Sequence, residues 1–499
     1  MTVIPFAEFA PDMPDLAEAT NIALNVIART PQSYAPVSGL SAYSSNTLPA
    51  TCLGMIATQN VDDSIYLFAG TGSKLYQVTS GAWADVSAVG GYSVAQGDNW
   101  RFAQFKSLVL ATDYADTIQS FTMGSSTAFA TLSSGAPNAR HIAVAKNFCI
   151  VADTYDSVGG ANPARVWWSA NGDPTNWPTP GSSGAQQVQS DYNDMNGLMG
   201  DITGLAPNLN GCDCAVFFQR AVFRMVYVGP PDVFDFYPAE NVHGTRASNA
   251  IVSLGNMVYY LGEDGFYAFD GNYSMPIGTN KVDKWFFGQL NQTYLYNVVG
   301  TADAINKLIF WLFPSNASPL GVPDTILLYR WDIARWSYAS ISAQWITRAL
   351  SFDITMDSLP ALGTTNIDTL PFSLDSRVWL GAVPQVAAVG PSGALAFFNG
   401  INLQAQIGTQ AAQINPGGLS FVSGVRPLVG VGSATVAVSA RQNYFDTEAF
   451  GPEVAVNAMG DCPQRSVGRY HRARVTIPAG ASWSQAMGVD VTAKPAGLR

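Results

Sequence analysis

Charge is scarce in this chain of 499 residues: Asp, Glu, Lys and Arg together make up 12%, against about 25% in an average soluble domain. A chain this poor in charge covers much of its surface with partners or with copies of itself, because monomers rarely expose apolar patches above a few hundred Å². Basic runs are also missing. With 36 acidic and 25 basic side chains the formal charge is −11, which argues against a sequence-independent grip on a phosphate backbone. The densest cationic stretch, residues 465–474, holds four arginines and one histidine. Its Arg-Tyr-His-Arg-Ala-Arg order reads as an interface or solvated strand with one charged face.

Histidine is nearly absent, with His141, His243 and His471 far apart in the chain. There is no Gly-x-Ser-x-Gly elbow, no Gly-x-x-x-x-Gly-Lys-Ser/Thr loop and no His-Glu-x-x-His helix, so acyl transfer, nucleotide hydrolysis and zinc proteolysis lack their usual supports. Five cysteines are too few for a disulfide scaffold, and Cys212-Asp-Cys214 has the wrong spacing for a zinc knuckle. Carboxylate neighbours such as Asp232 with Asp235, or Glu263 with Asp264, are too loosely specified by sequence to define a glycosidase pair. These absences predict a protein that is not an enzyme, with no catalytic residue, no cofactor and no metal site. Met1 leads into Thr-Val-Ile-Pro-Phe without a charged or apolar leader, and no segment approaches 18 uninterrupted apolar residues. The expectation is a soluble chain made in a cytoplasm, without signal peptide or membrane span.

What the sequence does have is a rhythm. Apolar runs at 65–68, 108–111, 148–152, 215–218, 257–261 and 308–313 are each answered by a β-rich run marked by an aromatic: Tyr76, Phe121, Trp167, Phe223, Phe266 and Tyr329. The aromatics are spaced by 45, 46, 56, 43 and 63 residues, and Trp379 adds a weaker seventh mark 50 residues on. Four-stranded propeller blades need a period in this range. Radial repetition also hides the edges and the apolar face that a lone hairpin exposes. Glu263-Asp264-Gly265 and Asp270-Gly271 supply Asp-Gly turns, with the positive φ a tight hairpin requires. A β-sandwich, with short strands at regular spacing, is the competing fold.

The predicted fold is therefore all-β: a propeller of about six blades over residues 51–400, preceded by an extended N-terminal arm (1–50) and followed by a small C-terminal sandwich or barrel (401–499). Five prolines between Pro5 and Pro36 make the arm unsuited to a central strand, with at most a short helix at 15–19. It is expected to lie across a finished body. Residues 178–184 and 186–201 read as surface loops. After Gly400 aromatics thin out, strands at 434–440 and 472–477 alternate with period two, and a strand at 488–492 precedes Pro495 and Gly497.

The segment Ser169-Ala-Asn-Gly-Asp173-Pro-Thr-Asn-Trp177 is similar to the aspartate box of sialidases, but in a shifted register: Asn171 stands where the acid belongs and Trp177 lies one place late. It reads as Trp177 packing over a proline-braced turn. The same segment, with Arg165-Val-Trp-Trp-Ser169 before it, resembles tail hub or nozzle proteins of short-tailed bacteriophages, the packaged-DNA stabilisation family. The resemblance extends through Ala221-Val-Phe-Arg-Met-Val226, Phe234-Asp-Phe236, the stretch 255–271, Leu327-Leu-Tyr-Arg-Trp331 with Arg335-Trp-Ser337, and 465–474.

That resemblance implies a structural virion protein, assembled in the host bacterial cytoplasm and resident in the virion tail. It implies a homohexameric ring below the head-to-tail adaptor ring, carrying the tail needle, fibres or spikes. The ring would line the exit channel, retaining and releasing packaged double-stranded DNA that passes without specific binding. Six copies carry six times −11, or −66, so an acidic lumen repels phosphate over a screening length of about 8 Å. Loops at 60–63 and 191–201 are candidates for that lumen. The alternative is a carbohydrate-binding or glycan-degrading propeller of a phage tail.

Overall fold

Strand after strand pairs with its sequence neighbour across most of the chain, giving a series of four-stranded antiparallel sheets. The computed structural model describes residues 2–14, 16, 18–156, 159–350, 366–369, 373 and 384–497. Blade one runs outward from Gly54–Gln59 to Ala82–Asp85, blade two from Arg101–Phe105 to Ala130–Thr131, and blade three from Asn138–Ala145 to Asp191–Asp194. Blade four runs from Ile202–Leu209 to Val233–Glu240, blade five from Val252–Leu254 to Ser274–Pro276, and blade six from Val299–Asp303 to Arg335–Ser340.

First strands of successive blades lie against one another, and Trp345–Leu350 of a seventh sheet lies against Gly54–Gln59 of the first, which closes the ring. Between blades four and five the join is side-chain packing of Ala206 and Leu209 with Val258 and Tyr260. The fold is an all-β propeller, and the described sheets make seven blades, one more than the six strong sequence marks. In all six marked blades the apolar run is the second strand and the aromatic lies on the third. Those strands are packed on both faces by neighbouring blades, so they read as continuous apolar stretches. Trp379 lies outside the described residues. Blade seven announces itself instead through Val386–Val389 and Phe397, all buried, in an alanine-rich setting without a strong aromatic signal.

The N-terminal segment is not an arm laid over a finished body. Its strand Ser41–Thr47 is the outermost strand of blade seven, paired with Ala394–Phe397. Residues 2–36 enter the C-terminal sandwich. One sandwich sheet orders Cys462–Gly468, Leu419–Val429, Ala486–Gly497, Ser33–Pro36 and Val26–Thr30, with Thr2–Pro5 also on Ala486–Gly497. The other orders Ala23–Leu24, Ala405–Gly408, Tyr470–Ile477, Thr435–Arg441 and Val454–Ala455. Proline tolerates these places because the strands are short or lie at edges, where a missing donor costs little. The helix expected at 15–19 is not present at its described positions: Leu16 is in a turn, Glu18 in a bend, and Ala19–Thr20 is a strand.

Through Leu24, which pairs with Tyr338, the second sandwich sheet continues the outer edge of blade six. One apolar cluster spans the seam, joining Phe6, Phe9 and Val475 to Trp311 and Trp336. Phe9 is fully buried there, edge-on to Trp285 at 5.3 Å, a burial worth roughly 2 to 3 kcal/mol. Gly265, expected at positive φ, does not have it. A Cβ there would collide with the Asp283 carboxylate, so space selects the glycine. Gly271 does sit at φ 98°.

Candidate functional site

In every blade the loop entering the first strand and the loop joining second to third strands open on the same face. Across blades two and three that face carries a group of interacting charges. Arg140, on the first strand of blade three, reaches Asp153 at 2.7 Å and Asp98 at 3.0 Å. Its guanidinium lies 4.2 Å over the Tyr114 ring, a cation–π contact across the blade boundary. Asp153 holds a backbone φ of 55°, a conformation kept only where the surroundings enforce it.

Burial drives the electrostatics here. Asp153, 1% exposed, has its carboxyl pushed up to about 6 by desolvation, with Arg140 pulling the other way. Asp113 is equally buried and is also pushed up to about 6, again by desolvation first. Its Oδ1 accepts the Asp116 backbone N–H at 3.0 Å, while Oδ2 has no protein partner. Arg101 is lowered to about 10 by burial. His141 is pushed well below its ordinary value by burial, with Arg101 and Arg140 adding to the effect, so it stands neutral at pH 7. The group clasps two blades together, and burial holds its Asp113 and Asp153 carboxyls up to about 6.

The other sequence candidates are dispersed. His243 lies 4.6 Å over Tyr267 with Nδ1 3.3 Å from Glu240. His471 is in the sandwich, Nε2 3.1 Å from the Gly468 carbonyl. Asp235 accepts the Tyr237 hydroxyl, Glu263 pairs with Arg246, and Asp264 accepts the Tyr267 hydroxyl, so each has its own partner. All five cysteines are buried free thiols. Burial raises Cys212 to about 11 and also holds Cys214 well above the ordinary thiol range. Among the described residues no three His, Cys, Asp or Glu gather to hold a metal, and no helix is long and apolar enough to cross a membrane.

The box-like segment is a turn staple. Asp173 accepts the Thr175 amide and hydroxyl at 2.9 and 2.7 Å, and buried Trp177 donates to the Pro174 carbonyl at 2.7 Å, edge-on to Trp167. The stretches read as surface loops at 178–184 and 186–201 hold more structure than expected. Ser182 caps a helix at Ser183–Val188, and Asp191–Asp194 is the fourth strand of blade three. Asp194 also grips Arg165 at 2.6 Å, beside Asp156 at 2.9 Å, with Arg165 stacked 4.0 Å over Tyr192. Asp194 is thus ion-paired while its side chain stays 45% exposed. Residues 60–63 do form an exposed turn in blade one. Arg472, expected on an interface or solvated face, is buried at the internal seam. It holds Thr20, Asn21, the Thr409 carbonyl and Glu448, a role that only the N-terminal strands reveal.

Arg348 on blade seven donates to the Ser253 carbonyl on blade five at 3.1 Å, reaching past blade six. A cavity of about 280 Å³ lies beside it, lined by Ala57, Ala302 and Ala349, room for roughly nine waters. Charge divides unevenly. Residues 41–400 hold 27 acidic and 16 basic side chains, a difference of −11 equal to that of the whole chain. Residues 401–499 hold 5 and 8, or +3, and residues 1–40 hold 4 and 1, or −3.

No family model matches the chain, and no curated protein matches it. Among solved structures it is similar to the computationally designed Ika8 protein (9% identity, 72% of this chain and 99% of that one, TM-score 0.37). It is similar to YCF48 bound to a D1 peptide (10%, 71% and 94%, 0.36). It is also similar to an exo-β-1,3-galactanase from Phanerochaete chrysosporium (11%, 91% and 99%, 0.30). At this level of likeness nothing those proteins bind or cleave transfers to this chain.

Proposed function

We propose that this chain is a structural subunit of a phage tail, a nozzle or hub protein that forms a ring of copies below the head-to-tail adaptor. In this reading it breaks no bonds. The observation that carries it is the partition of charge: the propeller holds the whole −11 while the rest is balanced, so a ring with propellers facing inward presents an acidic wall to passing DNA. The wall repels phosphate without binding it. In this reading DNA runs between copies, through the centre of the ring. Needle, fibres or spikes attach to the same body, which both chain termini weld into one piece.

Light scattering and negative-stain imaging of the purified chain, alone and mixed with an adaptor ring, test the reading. Rings on the adaptor support it; a chain that stays monomeric under both conditions ends it. Within assembled rings, replacing exposed propeller aspartates by asparagine should slow DNA ejection.

A second reading rests on one observation: Tyr237 and Tyr273 are exposed at the outer rims of blades four and five, beside the Arg224–Asn272 hydrogen bond of 2.8 Å. Exposed aromatics flanked by polar groups suit sugar faces. Glycan-array binding that disappears in Tyr273→Ala would favour that reading.

A further inference from the structure

Blades one and two are joined by a connector, residues 86–100, that has no regular structure. Gly90, Gly91 and Gly97, each at positive φ, leave it few restraints of its own. Its anchorage comes from the blades. The Tyr92 and Val94 N–H groups donate to the Ser73 and Gly72 carbonyls of blade one at 3.0 and 3.1 Å. On the blade-two side the Tyr92 hydroxyl donates to Gln119 at 3.4 Å, and the Ser93 N–H donates to Asp116 Oδ2 at 2.8 Å. Among these anchors only Asp116 carries charge.

A second carboxyl, Asp113, shares the turn with Asp116 and interacts with it. It is buried, and its Oδ2 has no hydrogen-bond partner. A buried carboxylate with an unsatisfied oxygen beside another negative charge is costly, so the two groups share one proton before both ionise. The buried member keeps that proton and can donate it toward the Asp116 carboxylate. No neighbouring cation relieves the pair. Tyr92, with Asp85 near it, faces the pair from the blade-one side, and Lys74 is already paired with Asp85 at 3.2 Å. Arg101, on the adjoining first strand, faces Asp98, while Arg140 of blade three is committed to Asp98 and Asp153. Burial first, and then the Asp116 charge, hold the Asp113 carboxyl up to about 6.

We infer that the Asp113 and Asp116 pair is a pH-sensitive latch, which docks the connector on blade two while the carboxyls share a proton and frees it when that proton is lost. When Asp113 gives its proton to water, two like charges face each other across one turn. Asp116, the less buried of the two, swings toward solvent and lets go of the Ser93 N–H. At the far end of the connector the Asp98 contact with Arg140 stays closed, because ionised Asp153 strengthens the charge around Arg140 and leaves it in place. Release is therefore confined to the stretch between Ser87 and Asp98. The latch works within a single chain and does not depend on assembly into a ring.

All five native cysteines are buried, so a nitroxide spin label attaches selectively to an introduced exposed one. Ala95→Cys places the label in the connector, and Val61→Cys places a control in the exposed turn of blade one. Electron paramagnetic resonance line shapes of the full chain are then recorded from pH 5 to pH 8. At position 95 a fast-tumbling component should grow with a midpoint near pH 6, rising about tenfold across that range as the ionised fraction does. The label at position 61 should not change. Adding Asp113→Asn, whose amide keeps a donor at every pH, should hold the connector label slow at pH 8, and Asp116→Asn should abolish the transition by removing the second charge. A line shape at position 95 that ignores pH overturns the latch. So does a transition that survives Asp113→Asn, or one that appears equally at position 61.

Discussion

The propeller and the sandwich use the same material, short antiparallel strands, and solve opposite problems with it. Six blades are built from consecutive stretches of chain, and the ring hides the faces of each sheet against its neighbours. The sandwich is assembled from residues at both extremes of the sequence, and its two sheets end in one sealed edge and one open edge. The propeller carries all of the net charge; the sandwich is neutral because its N-terminal strands (−3) offset its C-terminal ones (+3). Local construction gives a robust acidic body, and non-local construction gives a joint.

The difference makes the two regions break differently. Removing residues 2–36 should have the largest effect: the sandwich loses strands from both sheets, while the propeller keeps Ser41–Thr47 and its ring. Limited proteolysis should then degrade residues 401–497 and spare 51–397; equal loss of both would show that they fold as one cooperative unit. Trp336→Ala comes next, at about 3 to 5 kcal/mol. That side chain is fully buried at the seam, stacked with Trp311 at 5.8 Å and against Tyr329 at 4.5 Å. Denaturant unfolding should show the loss in both regions. Arg472→Met should cost about 3 kcal/mol and act on the sandwich alone, since it unties the N-terminal strand from Glu448 and Thr409.

Asp113→Asn tests the propeller's buried charge and has the opposite sign. Its folded carboxyl holds its proton up to about 6, above the ordinary 3.8. Stability from this group is therefore present below 3.8 and lost as pH rises through 6. The amide cannot ionise, so the variant should be more stable by about 2 kcal/mol at pH 8 and near neutral in effect at pH 4. Thermal melts at the two pH values check this. The smallest effect belongs to Phe445→Ala, which touches no core and should leave unfolding within about 0.5 kcal/mol of the parent.

How much of this was legible in sequence follows the same division. Second and third strands of six blades stood out because packing on both faces demands runs such as Leu308–Phe313, buried throughout. First strands, rich in Gly and Ala where the ring converges, gave little signal, and blade seven was hidden because its fourth strand lies some 350 residues before its third. The prolines of the N-terminal segment suggested a surface arm. They could not show that Ile4 and Tyr34 would find partners near residue 489, since pairing across the whole chain leaves no local pattern. The blade-two and blade-three charge group was invisible for the same reason: Asp98, Arg140 and Asp153 are ordinary residues until the ring brings them together. The loops near Asp194 failed differently, because Asn, Asp and Gly mark turns well but do not exclude an edge strand.

Thr2–Pro5 pairs with Gly488–Val491. During synthesis the earlier segment must wait, unpaired, until its mate has been made nearly 500 residues later, by which time the blades can have formed by local pairing. A product terminated early would keep a finished wheel but leave several apolar strands without mates. Such a fragment cannot present the rigid junction described above. The sandwich therefore closes only after the blades that separate its two contributing segments, so folding of the wheel can precede and template the joint.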